Sequence, residues 1–91
     1  MNIDIYVAYD DSNIPKILEK ELPDGMFIHL YDENTRTGKK EAWALKSEWG
    51  ARLSPFVLVT EDGNPKKAFY TEAGDVIVEL LKYLKNECKC N

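Results

Sequence analysis

Sulfur is almost absent from this chain. Its two cysteines, Cys88 and Cys90, both fall in the last four residues. No disulfide can staple the fold, because a bridge between them closes only a tiny loop at one end. That usage is consistent with a reducing compartment. Histidine is reduced to His29 alone. It sits inside an apolar stretch, and a catalytic role needs a nucleophile or carboxylate that the sequence does not place beside it. A packed or edge histidine is the expectation. No apolar run approaches the roughly 20 residues of a membrane span. Positive charge is also in deficit: Lys and Arg number 12 against 16 Asp and Glu, a net charge of −4. The short basic pairs Lys39-Lys40 and Lys66-Lys67 lie near acidic residues. A face that engages phosphates needs more than this, so no nucleic-acid partner is expected. The first residues lack the basic region and apolar stretch of a signal peptide. The expected compartment is the cytoplasm, with no membrane partner. Internal repeats, linkers and low-complexity segments are missing as well.

What is present suits one small globular domain spanning 1–91. Hydrophobic residues make up 44% and charged residues 31%, enough for a single core with little area to spare. Ile3 to Tyr9 is β-branched and aromatic and reads as a strand. Asp10, Asp11, Ser12 and Asn13 are turn and cap types. Asn13 is the expected cap of a helix beginning at Ile14, with Pro15 in its first turn. Ile14, Ile17, Leu18 and Leu22 share one face of that helix, and Pro23-Asp24-Gly25 ends it.

Met26 to Tyr31 reads as a second strand, and Asp32 to Gly38 as irregular chain. Lys39 to Trp49 reads as a helix with Ala42, Leu45 and Trp49 in line and Gly50 as its stop. Phe56 to Val59 is an apolar run suited to a strand covered on both faces. Glu61-Asp62-Gly63-Asn64-Pro65 signals a turn. Lys66 to Tyr70 returns as an edge strand kept soluble by its lysines. A last helix runs from Ala73 to Asn86, with Val76, Ile77, Leu80, Leu81 and Leu84 as its core stripe. The order is β-α-β-α-β-β-α: a mixed four-stranded α/β sheet with three helices, the first two strands parallel and the last two a hairpin.

Three local features carry a resemblance. Tyr9, four polar residues and then Ile14-Pro15-Lys16-Ile17 resemble the strand, loop and helix of glutaredoxins, where Cys-Pro-x-Cys opens the first helix. Arg52-Leu53-Ser54-Pro55 resembles that family's Arg-Thr-Val-Pro segment. Gly74-Asp75 resembles the Gly-x-Asp region that caps the last helix. Their order and spacing extend the likeness from Ile3 to Leu84, and it implies a thioredoxin-like fold with a cis peptide bond before Pro55. The likeness breaks where chemistry begins, because Ile14 and Ile17 stand at the positions of the two cysteines. An alkyl side chain has no proton to lose and cannot form a mixed disulfide, so thiol–disulfide exchange cannot run there. Apolar replacement at both positions implies a packed site.

The resemblance therefore implies a binding module in place of an enzyme, with no cofactor. Its expected surface is Asp11, Ser12, Asn13, Ile14, Pro15, Ser54, Pro55 and Asp75. The Ser54 main chain is placed to pair with an extended peptide, and a glutathione-like ligand is the small-molecule alternative. Asp10 and Asp11 form an acidic pair, but a solvated loop and helix cap explain it better than Mg²⁺ does. Cys88-Lys89-Cys90 offers a second reading, a redox or soft-metal pair. The helix before it carries the pair to the pole opposite Pro55. A third reading is a structural or assembly subunit, homo-oligomeric through an exposed Trp43 or the sheet edge near Phe69. Of the two tryptophans, Trp49 lies nearer the apolar register of its helix.

Overall fold

A computed structural model describes residues 2–22 and 25–87. Four strands and three helices follow in the order β1 (Ile3–Tyr9), α1 (Asn13–Glu21), β2 (Met26–Asp32), α2 (Arg36–Glu48), β3 (Phe56–Glu61), β4 (Asn64–Phe69) and α3 (Val76–Glu87), with a 3₁₀ turn at Thr71–Ala73 before α3. The sheet order is β2-β1-β3-β4. β1 and β2 are parallel, β1 and β3 antiparallel, and β3 and β4 form an antiparallel hairpin. This is a thioredoxin-like layout.

Alternation along β1 divides its side chains between two cores. Ile5, Val7 and Tyr9 face α1 and α3, where they pack with Ile14, Leu18, Val57, Val59, Phe69, Val76, Ile77, Leu80 and Leu84. Ala8 points the other way and meets Ala42 of α2, with Phe56 and Leu58. β3 is buried along both faces from Phe56 to Thr60, which its continuous apolar run requires.

Several boundaries differ from the sequence reading, each for a local reason. Asn13 lies inside α1 and does not cap it. The Asp11 carboxylate takes that role by accepting the Asn13 N–H at 2.9 Å, while the Asp11 carbonyl accepts from Ile14 N–H at 3.1 Å. α2 starts three residues before Lys39, because the Thr35 hydroxyl accepts the Gly38 N–H at 3.0 Å and caps it. Trp49 is the C-cap of α2. β3 and β4 run closer together than expected, joined by Asp62 and Gly63, both at positive φ. That geometry is the tight hairpin turn that Asp-Gly favours. Pro65 falls within β4, which a free edge tolerates.

Candidate functional site

The pole at the end of β1 gathers three elements around one groove. α1 contributes Ile14, Ile17 and Glu21, with Asp11 in the loop before it. The segment entering β3 contributes Pro55. Thr71, Gly74, Asp75 and the first turns of α3, through Val78 and Leu81, close the far wall. The groove encloses about 590 Å³, within the usual range for a ligand site.

Ile14 and Ile17 divide their roles. Ile14 is buried at 5% exposure in the larger core, whereas Ile17 remains 41% exposed and lines the groove. The expectation of a packed site therefore holds only for Ile14. One turn of helix separates the two, so one side chain points into the sheet and the other stands at the wall. The pole is open beside Pro55 and is not filled by both isoleucines.

Of the residues singled out in the sequence, Asp11, Ile14, Pro55 and Asp75 line the groove. Ser12 and Asn13 are exposed on the neighbouring loop and helix start, and Pro15 is half-buried beside them. Ser54 precedes Pro55 across a cis peptide bond. Its side chain is committed elsewhere. The Ser54 hydroxyl donates to Glu33 and accepts from Lys46 Nζ at 2.8 Å, and Lys46 Nζ also donates to Glu33 at 2.7 Å. Among the described residues, neither the N–H nor the C=O of Ser54 has a hydrogen-bond partner. The Pro55 carbonyl, by contrast, accepts from the Thr71 hydroxyl at 2.5 Å. Cys88 and Cys90 lie outside the described residues.

Comparison with family models, curated proteins and solved structures finds no match. The groove must therefore be read from its own chemistry. Among the described residues its charged lining is Asp11, Glu21 and Asp75, with no lysine or arginine. The Asp75 carboxylate accepts the N–H groups of Ile77 and Val78 at 3.1 and 3.2 Å, and Asp11 does likewise at α1. The helix N-termini that would attract an anion are already occupied by the chain's own carboxylates. The apolar lining is aliphatic, with Ile14, Ile17, Val76, Val78 and Leu81 among it. Among the described residues no group of three or more His, Cys, Asp or Glu is placed to hold a metal, and no helix is long and apolar enough to cross a membrane.

Sequence reasoning missed Glu21, Val78 and Leu81 in this wall. Val78 gave a signal, since it is apolar but off the stripe of α3, and it is 45% exposed. The Glu33–Lys46 pair was also missed. Its partners are 13 residues apart and meet only because α2 doubles back over the sheet. His29 is an edge-strand residue, part-exposed: its Nε2 lies 3.0 Å from Asp4 Oδ1, and its ring stacks on Tyr6.

Proposed function

We propose that this chain is a non-catalytic, glutaredoxin-like binding module that takes an extended protein or peptide segment in the groove between α1 and α3. The observation that carries this reading is an open, aliphatic groove that reaches Pro55, the residue after the unpaired main chain of Ser54. Such a main chain offers one donor and one acceptor to a passing strand, and alternate side chains of that strand can enter the apolar floor. With isoleucine at positions 14 and 17, the groove recognises shape and charge without thiol exchange. Three carboxylates and no cation among the described lining residues favour a segment with an apolar anchor flanked by lysine or arginine, and disfavour the two carboxylates of a glutathione-like ligand. We assign the module to the cytoplasm, where a fold that no disulfide staples carries no penalty.

The test is amide chemical-shift mapping on the full chain with a short peptide of two leucines between lysines, beside reduced glutathione. The peptide is expected to shift Ile17, Ser54 and Asp75, and glutathione to shift none of them. Ile17→Arg places a cation and extra bulk in the floor and is expected to weaken the peptide about tenfold. Saturable glutathione shifts at Asp75 and Ser54 would reassign the groove to that ligand. If neither compound moves Ser54, the binding-module reading fails.

A further inference from the structure

A second cleft lies on the opposite face of the sheet, and the notable feature is its lining. α2 packs Ala42 onto Ala8 and Phe56 and leaves much of that face uncovered. The cleft between helix and sheet encloses about 350 Å³. Its aromatic lining is Tyr6, Tyr31 and Trp49, and among the described residues its only charged lining groups are Glu41 and Glu48. All three rings are half-buried, and both glutamates are exposed at the rim.

Tyr6 and Tyr31 pack beside neighbouring rings, and at Trp49 it is the main chain that is fixed. Tyr6 stacks on His29 with centroids 4.4 Å apart and planes 12° apart, and Asp4 fixes that histidine. Tyr31 lies 6.4 Å from Tyr6, tilted by 36°. The Trp49 carbonyl accepts from the Tyr70 hydroxyl at 2.6 Å. Burial raises the pKa of the Tyr31 hydroxyl, and the negative charge of Glu41 raises it further. With Glu41 and Glu48 in the lining and no lysine or arginine among the described lining residues, the field at the cleft is negative. Lys46 of α2 is tied to Glu33 and Ser54.

We propose that this cleft binds an organic cation, an alkylammonium or guanidinium group seated against Tyr6, Tyr31 and Trp49 with Glu41 and Glu48 as counter-charges. Aromatic faces attract such ions through their quadrupole, and the attraction grows as the ion sheds water. The carboxylates add a charge term that a neutral ligand of equal shape does not receive. The volume suits a headgroup of a few heavy atoms. The cation can be a free small molecule or the end of a lysine or arginine side chain on another protein. Because the cleft and the groove lie on opposite faces of the sheet, this inference does not rest on the groove reading.

The experiment uses the full chain carrying Trp43→Phe. Trp43 is 68% exposed and does not line the cleft, so this substitution leaves Trp49 as the reporting fluorophore. Choline is titrated against 3,3-dimethylbutan-1-ol, which copies its shape without its charge. Choline is expected to change Trp49 emission and to bind about tenfold more tightly than the alcohol. Glu41→Gln with Glu48→Gln, both at exposed sites, is expected to shrink that difference to the part the rings supply, with no change in thermal midpoint. Agmatine against a neutral peptide with a single arginine then separates the sources: tighter agmatine points to a free cation, tighter peptide to a protein side chain. Equal binding of choline and the alcohol, or no emission change up to about 50 mM choline, overturns the proposal.

Discussion

At the scale of single residues, Lys46 is held by two partners at once. Its side chain and that of Glu33 are 13% and 17% exposed, and Ser54 bridges both. The cluster ties the chain before β3 to the loop after β2. Removing one partner leaves the other charge poorly solvated, which costs more than the net worth of the pair. Lys46→Met is therefore expected to lower unfolding free energy by about 2 kcal/mol, read from urea midpoints. Adding Glu33→Gln should recover part of that loss, and strictly additive losses would contradict the coupling. Tyrosine gives a second residue-level prediction. Burial is the main cause raising the pKa of Tyr9 and of Tyr31, with the charges of Asp32 and Glu41 reinforcing it respectively. A phenol whose folded pKa is raised supports the fold fully below its unfolded pKa, near 10, and that support is lost as pH climbs through the folded value. Stability should fall above about pH 10, and Tyr31→Phe should make the fall shallower. Urea midpoints measured on both sides of pH 10 check this, and equal slopes in parent and variant would refute it.

At the scale of elements, the start of α2 is the tightest junction. A Cβ built on Gly38 collides with the Asp32 carbonyl oxygen and crowds the Thr35 hydroxyl. Both are fixed: the Asp32 carbonyl accepts from Thr35 N–H at 3.1 Å and from the Thr35 hydroxyl at 2.9 Å. Alanine normally favours a helix over glycine, yet Gly38→Ala is expected to destabilise by about 1–3 kcal/mol, because backbone must move to admit the methyl. A thermal midpoint equal to or above that of the parent would disprove the account. The same junction shows what a single sequence reveals and what it withholds. Strand and helix identities were legible, because alternation in β1 and helical spacing in α3 record burial directly. The start of α2 was not, since Thr35 became a cap only through partners in the turn after β2. Asp11, Pro55 and Asp75 were legible as neighbours at one pole through topology and resemblance. Ile17 and Val78 as groove walls were not, because which of two adjacent apolar residues faces a neighbouring helix depends on its crossing geometry. The aromatic cleft was hidden for the same reason: Tyr6, Tyr31 and Trp49 come from three elements, and none is unusual in its own segment.

At the scale of the whole molecule, one sheet serves two unequal cores. The larger core joins the sheet to α1 and α3, and the smaller joins it to α2. β1 and β3 supply side chains to both, Val7 and Val57 on one face and Ala8 and Phe56 on the other. Neither core can dissolve without exposing the far side of the same two strands, so α2 should not melt independently. This coupling is testable because the fluorophores are asymmetric: both tryptophans belong to α2 or its cap, whereas far-ultraviolet dichroism reports every helix. Leu80 is fully buried in the larger core and belongs to the face opposite α2. Leu80→Ala is expected to cost about 2–5 kcal/mol, a large share of the stability of a domain this small. If the cores are one cooperative unit, fluorescence and dichroism midpoints coincide in the parent and fall together in Leu80→Ala. A fluorescence midpoint that stays in place while the dichroism midpoint drops would show that α2 and its small core unfold separately. The aromatic cleft and the peptide groove would then sit on units of different stability.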